Sequence, residues 1–130
     1  MSKNETPIIE IDGISIVDNI ACYKEETFDV PTLIEWCKQQ DYPVFDAPLA
    51  SLSIDSIPWT DLDDMYDFCY HMKRVNDCSL EYPIMLSPNG CILDGAHRIC
   101  KAIILGKKTI KCIRIQTMPK ASGKCDTNKD

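Results

Sequence analysis

The chain has no apolar run of the roughly 18 residues that a membrane-spanning helix needs. Its opening residues, Met-Ser-Lys-Asn-Glu-Thr-Pro, carry no apolar signal segment, so a cytoplasmic setting is expected. The eight cysteines form no Cys-X-X-Cys pair, and no histidine stands at zinc-site spacing from them. No internal repeat or low-complexity tract is present. Cations are scarce: 14 Lys and Arg face 20 Asp and Glu, giving a net charge of −6 and a pI near 4.8. A phosphate backbone repels such a chain unless its few cations cluster, which excludes a free-standing non-specific nucleic-acid binder. The reducing compartment implies eight free thiols, with Cys69, Cys91, Cys100 and Cys112 serving as small buried hydrophobes.

What is present fits one domain. The 130 residues are 45% apolar and 26% charged, enough for a modest core. Ile8–Ile11 and Ile14–Val17 alternate around Asp12-Gly13, the signal of a two-residue hairpin. Asn19–Phe28 is polar with little period. Asp29 can cap a helix from Pro31 to Gln40, with Leu33, Trp36, Cys37 and Gln40 along one face. Val44–Leu52 reads as extended, with Pro48 marking an edge. A helix is expected from Thr60 to about Val75, with Leu62, Met65, Tyr66, Cys69 and Met72 on its apolar face. Tyr82–Leu86 and Cys91–Leu93 are strands around a Ser87–Gly90 turn. Thr109–Thr117 is the last strand, and 118–130 has the composition of a loose tail. Lys73 and Arg74 suit a helix C-terminus, and Lys107, Lys108 and Lys111 read as a solvated face.

The segment Cys91–Gly106 carries the chemistry. An apolar strand end runs into Asp94-Gly95, and a helix follows with Ile99, Cys100, Ile103 and Ile104 on one face and Gly106 closing it. A helix start of this kind aims unbonded N–H groups and the positive dipole end at whatever lies in front of it. His97 and Arg98 place two cationic or donor side chains in the first turn, where they oppose the dipole unless an anion is bound. The expected phosphate site is therefore Asp94, Gly95, Ala96, His97 and Arg98. Gly95 would let a phosphate approach closely, the N–H groups of Ala96 and His97 would cradle it, and His97 and Arg98 would donate to its oxygens. Asp94 is the candidate carboxylate for Mg²⁺ held through the phosphates.

Residues 83–115, Pro-Ile-Met-Leu-Ser-Pro-Asn-Gly-Cys-Ile-Leu-Asp-Gly-Ala-His-Arg onward, resemble the core of the ParB/sulfiredoxin superfamily. Pro48–Leu80 resembles that family's first strand and following helix. The resemblance implies a compact α/β domain with a small mixed sheet and packed helices over residues 45–117. Residues 1–44 are then an N-terminal hairpin-and-helix extension packed on the core, and 118–130 a flexible tail. It implies a nucleoside di- or triphosphate (ATP, ADP or CTP) and Mg²⁺ at Asp94–Arg98, used for phosphoryl transfer or hydrolysis. The acceptor would be a small molecule or nucleic acid. The motif is similar to the Asp-Gly-His-His-Arg of the free-serine kinase branch, whose base follows the first core strand. Asp55 is the nearest match, with Asp61, Asp63 and Asp64 as alternates, so Asp55 and Asp94 are the expected catalytic carboxylates. Ala96 stands where the sulfinic-acid reductases carry their nucleophilic cysteine, which excludes that reaction. The partition branch's Gly-Glu-Arg-Arg and helix-turn-helix domain are also missing. The alternatives are a nucleic-acid-directed factor (a nuclease, or a DNA-modification or regulatory protein) and a nucleotide sensor without catalysis.

Overall fold

The structure is a computed structural model and describes residues 6–11 and 20–125. Within them the fold is mixed α/β. The strands are β1 (Ile20–Tyr23), β2 (Glu26–Asp29), β3 (Phe45–Pro48), β4 (Ile84–Leu86), β5 (Ile92–Asp94), β6 (Thr109–Arg114) and β7 (Gly123–Lys124). The helices are α1 (Val30–Gln40), α2 (Met65–Asp77) and α3 (Ala96–Ile104), with a single 3₁₀ turn at Leu49–Ser51.

The central sheet has the order β3-β6-β4-β5. Only the β4–β6 pair is parallel; β3–β6 and β4–β5 are antiparallel. Both its faces are covered. Ile84, Leu86, Ile110 and Cys112 face one cluster with Ile99 and Ala102 of α3. Met85, Leu93 and Ile115 face the other, with Ala21, Phe28, Leu33 and Cys37. This is why Ile84-Met85-Leu86 reads as an unbroken apolar run: a strand covered on both sides has no polar face to show. Pro48 lies on the edge strand β3, where its missing N–H costs no ladder bond.

The second sheet, β1-β2-β7, carries two corrections. Asn19–Phe28, which shows no period, holds the hairpin β1–β2, paired from Ile20↔Asp29 to Tyr23↔Glu26. Its turn residues Lys24 and Glu25 both adopt positive φ, 51° and 67°. The tail is also pinned: Gly123–Lys124 pair with β2, and a disulfide joins Cys22 to Cys125. Eight free thiols are therefore not found; six are free. Residues 12–17 of the expected N-terminal hairpin lie outside the described residues, and Ile8–Ile11 form no strand.

Both helices beside the central sheet present faces other than those expected. Met65 is 86% exposed, Tyr66 and Cys69 are also exposed, and the buried side of α2 is Tyr70, His71 and Val75. On α3 the buried residues are Ile99 and Ala102, whereas Ile103 and Ile104 are exposed. Helix α2 also starts later than Thr60. Asp64 caps it by accepting from Asp67 N–H at 3.0 Å, and Asp67 Oδ2 accepts from Asp63 N–H at 2.9 Å. This reciprocal cap leaves 53–63 as a loop free to fold over the helices. Gly106 does close α3: Gly106 N–H donates to Ile103 and Lys107 N–H to Ala102, a Schellman ending.

The thiols follow the same geometry. Burial pushes Cys37 up, and pushes Cys112 up to about 11, so both stay protonated and shielded. A thiol reagent added to the native protein should label the exposed Cys69 and Cys91 quickly and spare Cys37 and Cys112. After denaturation without reductant, intact mass should show six adducts, and eight would refute the Cys22–Cys125 bond.

Candidate active site

Strand β5 ends at Asp94 in the middle layer, and α3 turns away from it at Gly95. The backbone there has φ 116° and ψ 18°, a left-handed conformation. A Cβ at this position would lie 2.4 Å from Ile84 Cγ2. Glycine is thus required by the turn and by β4, and the missing side chain points at Ile84. That differs from the expectation of a glycine making way for a phosphate.

The α3 start opens into a cavity of about 590 Å³, a usual size for a small-molecule site. The loop 53–61, the end of β5 and the first turns of α3 form its walls, and Arg74 and Cys78 close the α2 side. All of Asp94, Gly95, Ala96, His97 and Arg98 line it. The five expected phosphate-site residues therefore share one cavity wall.

Arg98 already has an anion. Its Nη2 donates to Asp94 Oδ2 at 2.9 Å, with only 19% and 23% of the two side chains exposed. Asp94 is the internal counter-charge for the first-turn cation. The Arg98 Nε is buried and has no hydrogen-bond partner among the described residues. A buried N–H of this kind costs about 1–3 kcal/mol while unpaired. Asp94 belongs to no group of three metal-ligating side chains among the described residues. One carboxylate is nevertheless enough for Mg²⁺ when phosphates and waters complete its shell.

His97 is placed differently from the phosphate-donor role expected of it. Its Nε2 lies 2.9 Å from Nδ1 of His71, a residue of α2 that is 1% exposed. The two rings lie 15° from coplanar with centroids 5.1 Å apart, which is what an in-plane N–H···N bond gives. The Nε2 of His71 lies 3.0 Å from Asp61 Oδ1. Trp59 lies flat over the pair, its ring centroid 4.4 Å from His71 and 4.7 Å from His97. The hydrogen bonds fix the tautomers. A carboxylate only accepts, so His71 carries its proton on Nε2. In the neutral pair, His71 Nδ1 accepts and His97 Nε2–H donates.

Among the carboxylates, Asp61 rather than Asp55 reaches the cavity. Asp55 is exposed in the loop and is not part of the cavity wall. The loop is long enough to carry Trp59 and Asp61 over α2 because the Asp64 cap delays that helix. Cys100 borders the cavity, but burial, reinforced by Cys78, pushes its thiol up, which makes it a poor nucleophile at neutral pH. Lys101 donates to the carbonyls of Asn76 and Cys78, at 2.9 and 2.6 Å, and so ties α3 to the end of α2.

No protein-family pattern, no curated protein and no solved structure matches this chain. No helix among the described residues is long and apolar enough to cross a membrane.

Proposed function

We propose that this chain binds a nucleoside di- or triphosphate in the cavity, with the phosphates at the start of α3, and transfers or hydrolyses a phosphoryl group. The observation that carries the reading is the α3 start itself. It sets Gly95, Ala96, His97 and Arg98, the first turn of a helix with its positive dipole end, on the wall of a cavity of nucleotide size. The resemblance of residues 83–115 to the ParB/sulfiredoxin core supports the same assignment and suggests ATP, ADP or CTP.

Phosphoryl transfer is mainly positioning and charge neutralisation. Arg98 would hold phosphate oxygens with its planar fork. Asp94 would keep that guanidinium oriented and offer its carboxylate to Mg²⁺, which neutralises charge on the phosphates when bound. The acceptor is a hydroxyl of a small molecule, or water. The setting proposed is the cytoplasm, where cellular thiols would make the Cys22–Cys125 bond exchangeable.

A thermal-shift panel of nucleoside di- and triphosphates, with and without Mg²⁺, tests the reading. At a hundredfold excess over Kd, stabilisation should be about 2.7 kcal/mol. Random duplex DNA should bind no tighter than the ordinary non-specific range of about 10⁻⁴–10⁻⁶ M, given a net charge of −6. Duplex binding well below 1 μM without a nucleotide effect would favour a nucleic-acid-directed protein instead.

A further inference from the structure

We infer that Asp61, His71 and His97 form a proton relay that serves the cavity as its general base and acid. The substrate part of this inference rests on the phosphoryl-transfer reading; the relay geometry does not. Three observations carry it. First, the residues come from three separate elements, a loop, α2 and α3, and meet through two bonds of 2.9 and 3.0 Å. Second, His71 sits fully inside the protein, on the face of α2 where an apolar residue would pack at no polar cost. A buried imidazole with both nitrogens bonded, one of them to a carboxylate, is held in one tautomer and one orientation. Third, Trp59 covers both rings with its negative face, which stabilises an imidazolium beneath it and keeps water off the bond between the rings.

An acceptor hydroxyl in the cavity gives its proton to Nδ1 of His97. His97 Nε2–H passes its proton to His71 Nδ1. His71 becomes an imidazolium whose Nε2–H stays on the Asp61 carboxylate. The acceptor oxygen forms its bond to the terminal phosphorus as the bond from phosphorus to the nucleotide's bridging oxygen breaks, and the nucleotide leaves with that electron pair. Reversing the proton shift returns the proton to the leaving group or to water. His97 is the group facing the substrate, and His71 and Asp61 are positioning residues. Asp61 is 37% exposed, so the far end of the relay meets solvent. Among the described residues, the other charged or titratable side chains on the cavity wall are Arg74 and Cys78 from the α2 side, Asp94 from β5, and Arg98 and Cys100 from α3.

The test uses the full chain and the variants His97→Gln and Asp61→Asn. Nucleotide affinity and turnover are measured across about pH 5–9, the range over which imidazole switches operate. Trp59 fluorescence is followed in parallel in a Trp36→Phe background, because an imidazolium stacked on indole quenches it. His97→Gln should lower turnover by about 10²–10⁴-fold and leave nucleotide affinity nearly unchanged. Asp61→Asn removes the charge that favours the imidazolium. It should therefore move the acid-side loss of turnover and the quenching of Trp59 to lower pH together. Asp61→Asn is conservative and partly exposed, so it keeps the test open should His97→Gln fail to fold. Turnover reduced equally at every pH, with an unmoved Trp59 transition, would show a merely structural triad and overturn the inference. Native protein that binds nucleotide but never turns it over would also overturn it while leaving the phosphate site standing. Absence of nucleotide binding would overturn the proposed function itself, and the relay's catalytic role with it.

Discussion

Gly95→Ala should destabilise the protein by about 2–5 kcal/mol, the largest effect expected of an alanine at any of the described glycines. Two costs add. A non-glycine residue in the left-handed region loses about 1–2 kcal/mol. The new Cβ would also lie 2.4 Å from Cγ2 and 2.8 Å from Cβ of Ile84, so β4 or α3 must move, at about 1–3 kcal/mol for overpacking. Ile84 is fully buried in the middle layer and cannot swing aside. Gly106→Ala is the control. Its φ is +74° but nothing lies within 4 Å of the added Cβ, so only the conformational cost applies. Thermal unfolding should put Gly95→Ala roughly 10 °C or more below the native protein, with Gly106→Ala a few degrees below. Equal shifts for the two would mean that contact with Ile84 does not fix the position of α3.

Arg98→Ala should weaken nucleotide binding by about 1.5–3 kcal/mol, the size of a lost charge-assisted hydrogen bond and a factor of roughly 10–150 in Kd. The variant also leaves Asp94 facing the phosphates without its counter-charge, which adds repulsion in the same direction. Arg98→Lys separates charge from shape. Lysine restores the cation but not the fork, and should recover only part of the affinity. Asp94→Asn discriminates further. An uncharged amide relieves repulsion toward a phosphate, so affinity measured without Mg²⁺ should hold or rise, whereas turnover with Mg²⁺ should fall if Asp94 holds the metal. Calorimetry with and without Mg²⁺ measures each of these changes. An affinity identical in the native protein and Arg98→Ala would remove Arg98 from the site.

The strand-to-helix junction at Asp94–Arg98 was legible in the sequence because it is local. An apolar strand end, Asp-Gly and a glycine-terminated helix all lie within sixteen residues, Cys91 to Gly106. The relay was not legible. His71 meets partners 10 and 26 residues away in sequence, and no spacing rule joins a loop aspartate to histidines on two helices. Hydrophobic periodicity also misled on α2. Met65, Tyr66 and Cys69 fall at helical spacing, but the face that packs inward carries His71, because Asp61 and His97 satisfy it there. One signal was present: a helical histidine that follows a Trp-Thr-Asp segment by ten residues in a chain with only two histidines. The hairpin β1–β2 was hidden for another reason. Its turn places Lys24 and Glu25 at positive φ, where Asn-Gly or Asp-Gly is the usual signature.

Backbone amide NMR of the native protein during titration with a nucleoside triphosphate and Mg²⁺ tests the phosphate site most directly. Saturable shifts are expected, largest at the amides of Gly95, Ala96, His97 and Arg98, with smaller ones across the loop carrying Trp59 and Asp61. Saturable shifts centred elsewhere, or no saturable shift at millimolar nucleotide, would contradict it.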